Sequence, residues 1–181
     1  MYAIKTLLAS LPGNFKIPII IVQHLAPDSD NYLVEFLDKN TGLTVKEADE
    51  KEVVQSGFVY VCPPNYHILV EENMSLSLSA DEKVNYSRPS IDVLFYSAAD
   101  AFQESLIGIV LTGANDDGAR GLFYIKKKGG LGIVQNPSEA ESPQMPTAAI
   151  LEANPDHVLE IRQISKLLLQ LANKNQDKNS L

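Results

Sequence analysis

Leu106-Ile-Gly-Ile-Val-Leu-Thr-Gly-Ala-Asn-Asp-Asp-Gly-Ala-Arg-Gly121 is the stretch from which the fold follows. An apolar run rich in β-branched residues stops at Thr112-Gly113, and a helical pattern resumes from about Gly118. Such a run predicts a buried parallel strand that leads through a loop into a helix. In open α/β sheets, ligands and catalytic groups gather at the carboxyl ends of the strands. Asn115-Asp-Asp117 therefore provides the first candidate site residues.

The polar loop has two interpretations. Asp and Asn at the start of a helix commonly cap its free N–H groups, and this reading needs no function. The catalytic reading gains weight from a second predicted strand, which ends in Ile19-Ile-Ile-Val-Gln-His24 and so delivers a histidine to a strand end. We expect Asp117 to cap the helix that follows it even if it also has a catalytic role.

The rest of the chain alternates between helical and strand patterns. Helices are predicted over residues 2–10, 30–40, 88–102, 118–128, 146–152 and 162–172, and further strands over 17–22, 131–134 and 157–160. Residues 44–79 contain only short strands, which indicates a β-rich insertion or an antiparallel sheet edge. This order predicts a three-layer α/β fold. We expect one domain over residues 1–172 and a frayed polar tail over 173–181.

Composition excludes several classes of protein. The chain has 181 residues, 45% hydrophobic and 21% charged, which suits one globular domain. A formal net charge of -8 argues against a nucleic-acid partner. Neither a membrane-spanning run nor a signal peptide is present in the sequence, and Cys62 is the only cysteine, so we expect a cytoplasmic protein without a cysteine-based metal site.

His24 and one loop aspartate would supply two members of a nucleophile–base–acid triad. The histidine would take a proton from the nucleophile, and the carboxylate would orient the imidazole. Ser10 and Cys62 are poor candidates for the nucleophile, because neither follows a buried strand into a helix. His67 and His157 lie in or beside strand patterns and are interpreted as structural.

The same loop allows two other kinds of site. Gly113 and Gly118 have P-loop spacing, but Ala119-Arg120 replaces the Lys-Ser/Thr pair that binds phosphate and magnesium. A divalent-metal site at Asp116 and Asp117 lacks a third ligand at a recognisable spacing. Both alternatives rank below the triad, and we expect no metal.

At this point the sequence resembles the catalytic domain of the CheB-type protein-glutamate methylesterases, which act on chemotaxis receptors. The similar segments occur in the family's order over nearly the whole chain. They are Val22-Gln-His-Leu-Ala-Pro27, Gly57-Phe-Val-Tyr-Val-Cys-Pro-Pro64, His67-Ile-Leu69, Arg88-Pro-Ser-Ile-Asp-Val-Leu-Phe95, Val110-Leu-Thr-Gly-Ala-Asn-Asp-Asp-Gly118, Gly129-Gly130, Gln135-Asn136 and Met145-Pro146.

The resemblance implies a doubly wound, mainly parallel, Rossmann-like sheet with an antiparallel edge hairpin. It also implies a Ser-His-Asp triad that hydrolyses glutamate methyl esters on methyl-accepting chemoreceptors or related signalling proteins and deamidates some glutamines, without a cofactor. By position, His24 is the expected base, Asp117 the acid, and Ala114 the backbone donor to the oxyanion. Arg88 is expected on the substrate side, where Tyr86-Ser87 departs from the family's usual residues.

The sequence departs from the family most at its start. The family begins this domain with a short strand and a Gly-Ala-Ser-x-Gly-Gly turn, and Met1 matches a position after that turn. The nucleophilic serine, one oxyanion donor, the first strand and a preceding receiver domain are thus expected to be absent. We predict negligible esterase activity and low stability for the chain as written. The alternative is a non-catalytic module that binds receptors or signalling partners.

Overall fold

The computed structural model describes the backbone of residues 1–178 and the side chains of residues 1–174. Helices and strands alternate through most of these residues. The helices are α1 (Tyr2–Ala9), α2 (Tyr32–Asn40), α3 (Ile91–Phe102), α4 (Ala119–Lys127), α5 (Gln144–Ala153) and α6 (Ile161–Lys178). The strands are β1 (Ile19–Ile21), β2 (Thr44–Glu47), β3 (Phe58–Val61), β4 (His67–Val70), β5 (Leu76–Ser79), β6 (Ile107–Val110), β7 (Leu131–Gln135) and β8 (His157–Leu159).

The main strands form two parallel three-stranded sheets. Their orders are β1-β3-β2 and β6-β7-β8, and the strands of each sheet pair in register without a break. Strands β4 and β5 form a separate antiparallel pair. In the described residues, β1 pairs only with β3 and β6 only with β7, so each has an open edge.

Alternating side chains of the strands build two hydrophobic cores, one on each face. Val59 and Val61 of β3 belong to the core that contains α1, α2 and α6. Tyr60 of the same strand belongs to the core that contains α3, α4 and α5. This period of two is what a strand covered on both faces requires. The result is the expected three-layer α/β fold with helices on both faces.

A cavity of about 280 Å³ separates the open edges of β1 and β6. We call it the strand slot. Residues 19–21 of β1 and Ile107 and Ile109 of β6 line its two long sides. Leu7 and Leu8 of α1 and Leu94 and Phe95 of α3 are also part of its wall, so its lining is mainly apolar. The carboxyl ends of both strands lie at one end of the slot, beside His24 and Thr112.

The predicted alternation and fold class are confirmed, and several details of the prediction are wrong. Strands β2 and β3 belong to a parallel sheet with β1 and not to an antiparallel insertion, because β3 forms the shared centre of that sheet. Helix α3 starts at Ile91 rather than at Arg88-Pro89, since Ser90 has an extended backbone and occupies the N-cap position.

The domain boundary predicted at residue 172 falls inside a helix. Ala172 is the last buried residue of α6 among the side chains that the structure describes, up to residue 174, but the helix continues to Lys178. The residues after Ala172 include lysines and glutamine, which favour helices without needing burial. Of the predicted tail, residues 179–181 lie outside the described part of the chain.

Leu122 offers a direct test of the packing between α4 and the sheet. Its side chain is fully buried, and a Cβ added to Gly108 of β6 would lie only 2.8 Å from Leu122 Cδ1. We expect Leu122→Ala to lower the free energy of unfolding in urea by about 2–5 kcal/mol, because it leaves a cavity in a close-packed layer. Leu151→Ala on α5, where Leu151 is 82% exposed, is the matched control and should change it by less than about 0.5 kcal/mol. Equal losses would contradict the described packing.

Candidate active site

His24 and Asp117 meet at the end of the strand slot. His24 follows β1 after two residues, and Asp117 belongs to the loop between β6 and α4. The Nε2 atom of His24 lies 2.8 Å from Oδ2 of Asp117, with 27% of the histidine side chain exposed and none of the aspartate. The structure thus brings together the two residues that the sequence predicted as base and acid, although 93 positions separate them in the chain.

The Asp117 carboxylate accepts hydrogen bonds on both oxygens. Oδ2 accepts from the backbone N–H of Ile91 at 2.7 Å, in addition to its bond with His24. Oδ1 accepts from the Ser90 hydroxyl at 2.8 Å and from the Asp92 N–H at 3.0 Å. Four donors fill the usual capacity of a carboxylate. The side chain is therefore fixed in orientation as well as buried.

These bonds fix the tautomer of His24. An ionised carboxylate only accepts, so the Nε2 atom that faces Asp117 must carry a hydrogen. The lone pair then belongs to Nδ1, toward which Asn115 Nδ2 points at 3.4 Å. Asn115 also accepts the Asp117 N–H on its Oδ1 at 3.1 Å. Nδ1 is consequently the atom of His24 that can accept a proton.

The environment of Asp117 keeps it ionised. Burial alone would raise its pKa, but hydrogen bonds from His24, from the N–H groups of Asp92 and Ile91 and from Ser90 outweigh burial, and the pKa lies below its ordinary value. Ile91 and Asp92 are the first residues of α3, whose N-terminal dipole also favours a negative charge. A carboxylate in this state can hold an imidazole and stabilise its protonated form.

Asp117 caps a different helix from the one that the sequence predicted. Its acceptors serve the first turn of α3, whereas the N-cap of its own helix α4 is Gly118, with no side-chain cap bond. The reason is the backbone of Gly118, whose φ of 91° turns the chain away before α4 begins. A Cβ at Gly118 would lie 2.7 Å from Ile91 Cγ2, so only glycine lets the loop approach α3 this closely.

The loop after β6 is tied to the segment before α5. The Gly113 N–H donates to the Ser142 carbonyl and the Met145 N–H to the Gly113 carbonyl, both at 3.0 Å. The N–H of Ala114, the predicted oxyanion donor, has no acceptor among the described residues. Ala114 itself is exposed, and its role toward an oxyanion stays a prediction.

Arg88 is held by the protein itself. Its guanidinium donates to Asn65 Oδ1 through Nε at 3.2 Å and Nη2 at 2.8 Å. Nη1 donates to the carbonyls of Ala80 and Asp81. These bonds join the segment before α3 to two neighbouring loops. Arg88 therefore has a structural role. Its position on the substrate side stays a prediction.

The described residues provide no evident nucleophile for His24. The slot lining contains neither serine nor cysteine in the part of the chain that the structure describes. Cys62 is buried, and burial raises the pKa of its thiol to about 12, which leaves it unreactive at neutral pH. The Ser10 hydroxyl donates to the Thr6 carbonyl in α1. Ser90, also buried, is bonded to Asp117.

Ser90 and His67 complete the support for Asp117, and the sequence reading missed this part of the site. The Ser90 N–H donates to Nδ1 of His67 at 3.2 Å, and His67 Nε2 lies 3.1 Å from the Glu82 carbonyl. A serine directly before a helix is a signal for an N-cap and could have indicated Ser90. No local pattern indicates that this N-cap would turn toward an aspartate from another loop.

Comparisons with known proteins identify the family of the chain. The family model described as CheB methylesterase matches residues 1–168. The chain belongs to the CheB methylesterase family. It is 49% identical over 173 residues to a Leptospira interrogans protein provisionally named protein-glutamate methylesterase/protein-glutamine glutaminase, over 96% of this chain and 90% of that protein.

More distant members of the CheB family include proteins of known structure. The chain is 34% identical over 172 residues to a Thermotoga maritima protein-glutamate methylesterase/protein-glutamine glutaminase, covering 93% of the chain but only 50% of that protein. The crystal structure of the Thermotoga maritima CheB methylesterase catalytic domain matches with a TM-score of 0.89 and 34% identity, over 94% of this chain and 92% of that one. The predicted family and fold are thus confirmed.

The described residues of this CheB domain contain neither a membrane-crossing helix nor a cluster of metal ligands. Among those residues, none of the helices combines the length and apolar character needed to cross a bilayer. Nowhere in the same residues do three or more His, Cys, Asp or Glu side chains gather as a group that could hold a metal ion.

Asp117 should make the stability of this CheB domain depend on pH. Because its folded pKa is depressed, its contribution is present above the unfolded value of about 3.9 and is lost as the pH falls through the lower folded value. We expect Asp117→Asn to lower the free energy of unfolding by about 1–3 kcal/mol at neutral pH, since an amide nitrogen would face buried donors. It should also flatten the acid limb of the profile.

Urea titrations at a series of pH values would measure both effects. Asp116→Asn is the matched control, because Asp116 is exposed and its carboxylate makes no hydrogen bond or ion pair with the described residues. An Asp117→Asn profile with the same acid slope as the parent chain would show that the carboxylate is not stabilised as described.

Proposed function

We propose that this domain hydrolyses glutamate methyl esters on chemoreceptors and deamidates glutamines, by a Ser-His-Asp mechanism whose serine is not among the described residues. The proposal depends mainly on one observation, the 2.8 Å contact between His24 and Asp117 at the carboxyl ends of parallel strands beside the strand slot. The names of the relatives support the reaction class. A cytoplasmic chemoreceptor domain is the proposed partner, and the reaction as written needs no cofactor.

Each described residue has a distinct role in the proposed reaction. His24 Nδ1 takes the proton of the serine as its oxygen attacks the ester carbonyl, and Asp117 stabilises the resulting imidazolium. The N–H of Ala114 donates to the oxygen that becomes negative. His24 then returns the proton to the departing methoxide, which leaves as methanol. Water attacks the acyl-enzyme in the same way and releases the free carboxylate and the serine.

The same steps account for glutamine deamidation. An amide carbonyl passes through the same acyl-enzyme, and the proton from His24 goes to the departing nitrogen, which leaves as ammonia. Both reactions end at a glutamate side chain. The two substrates therefore need only one site and one set of proton transfers.

The strand slot is the proposed location of the missing nucleophile. A strand between β1 and β6 would satisfy the open backbone edges of both, and the alternation of neighbouring strands would place its side chains in both cores. If it ran parallel to β1 and β6, its carboxyl end would lie beside His24. A serine on a turn at that end would face Nδ1.

Activity of two proteins would test this assignment. We expect negligible hydrolysis of receptor methyl esters by the 181-residue chain. Activity should appear when an apolar strand and a Gly-Ala-Ser-x-Gly-Gly turn are fused before Met1. In the fused protein, His24→Ala or Asp117→Asn should lower kcat by about 10³-fold or more, because each removes a member of the triad.

The control is the same fusion with alanine in place of the added serine, which should be inactive but equally stable. Robust hydrolysis by the unfused chain would overturn the proposed role of the slot. Binding of a receptor peptide by the unfused chain, with an inactive fusion, would instead favour the alternative function of a non-catalytic binding module.

Arg88 and Tyr86 are the proposed substrate-side residues. Tyr86 is 98% exposed on the loop that leads to Arg88. In the fused protein we expect Tyr86→Ala to raise KM with little change in kcat, since it removes binding shared by substrate and transition state. Arg88→Ala should also lower the melting temperature, because it releases Asn65 and two carbonyl groups. An unchanged KM for both variants would remove them from the substrate side.

A further inference from the structure

The N-termini of helices α3 and α4 each donate a backbone N–H to an aspartate from the other helix or from the loop before it. The Asp92 N–H in the first turn of α3 donates to Oδ1 of Asp117, which precedes α4. In return, Asp92 Oδ1 accepts the N–H of Gly121 in the first turn of α4 at 2.7 Å. Each helix therefore satisfies a free N–H of the other, in addition to its own internal bonds.

The contact around Asp92 leaves little room for adjustment. Asp92 is 2% exposed, and a Cβ added to Gly121 would lie 2.6 Å from Phe95 Cβ and 3.1 Å from Asp92 Oδ1. The backbones of the two helices are therefore in close contact at this point. A small displacement of the Asp92 side chain would have to move α4 and the loop before it.

That loop carries the acid of the site. Asp117 lies between the Asn115 side chain, which accepts its N–H, and Gly118, which packs against Ile91 of α3. The Ala119 N–H also closes the turn by donating to the Asp116 carbonyl. A shift of α4 relative to α3 would move this loop as a unit and alter the 2.8 Å contact between Asp117 and His24.

The surroundings of Asp92 favour a role that depends on the position of its carboxyl oxygen and not on its charge. Burial raises its pKa, the Gly121 N–H opposes that change, and the nearby Asp117 carboxylate adds to it. Burial and the charge of Asp117 thus both disfavour a second full negative charge at this point. The contribution of Asp92 is an oxygen that accepts the Gly121 N–H of α4.

We propose that Asp92 is a positioning residue, which holds the α4 N-terminus against α3 so that Asp117 faces His24. Its side chain touches neither His24 nor the reacting atoms, and the effect of its carboxyl group passes through Gly121 and the loop before α4. This inference depends on the proposed function in one respect only, which is that His24 is the base.

Two substitutions of Asp92 separate shape from charge. Asp92→Asn keeps an oxygen for the Gly121 N–H and removes the charge, whereas Asp92→Glu keeps the charge and moves the oxygens by one methylene. In ¹⁵N-histidine NMR spectra of the full chain, we expect the parent and Asp92→Asn to show a slowly exchanging Nε2–H on His24 and a single tautomer. Asp92→Glu should show fast exchange and mixed tautomers. His24→Gln assigns the signal.

Ser97→Ala is the control for a general loss of stability. Ser97 lies on α3, and its hydroxyl oxygen accepts the Val70 N–H at 3.1 Å without contact to Asp117. It should lower the melting temperature and leave the His24 signal unchanged. If Asp92→Glu does not fold, Gly121→Ala replaces it, because its Cβ presses on Asp92 and Phe95 and should cause the same loss of signal.

The outcomes are distinct. The proposal is overturned if the His24 signal survives in the disrupting variant that folds, or if Asp92→Asn loses it as well. In the fused enzyme, Asp92→Glu should lower kcat by roughly 10- to 100-fold with little effect on KM. The expected NMR pattern together with an inactive fused enzyme would refute the proposed function while supporting the positioning role.

Discussion

The buried carboxylate of Asp117 is the interaction on which the rest of the site depends. An ionised side chain without solvent contact is strongly destabilising unless donors surround it. Here the donors come from His24 after β1, Ser90 before α3 and the first two N–H groups of α3. Loss of any of these hydrogen bonds would destabilise the fold, so the three segments that carry His24, Ser90 and Asp117 must pack together at this point.

This arrangement reconciles two opposing demands on the acid of a triad. Burial excludes water and strengthens its contact with His24, but burial alone would also raise the pKa of the carboxyl. The hydrogen bond from His24 and the N–H groups at the N-terminus of α3 outweigh this effect and hold the pKa below its ordinary value. The helix that helps to build the core of the fold thereby also contributes to the charge state of the site.

The strand slot connects stability with the proposed activity. The open edges of β1 and β6 leave backbone groups without strand partners within the described residues, and His24 belongs to the lining of the same slot. A strand that filled the slot would pair both edges and could bring a nucleophile to that nitrogen. The proposed gain in stability and the proposed gain in activity therefore depend on one and the same segment.

The sequence by itself determined the alternation of elements, the family and the strand ends that carry His24 and Asp117. Those features depend on hydrophobic periodicity and short motifs, which are local. Only the tertiary structure decided that β2 joins β3 in parallel, that Asp117 caps α3, and that Arg88 is bound by Asn65. The physical reason is that each of these contacts joins segments that are distant in the sequence. The local sequence pattern of each segment is compatible with several partners, and the packing of the whole domain selects one of them.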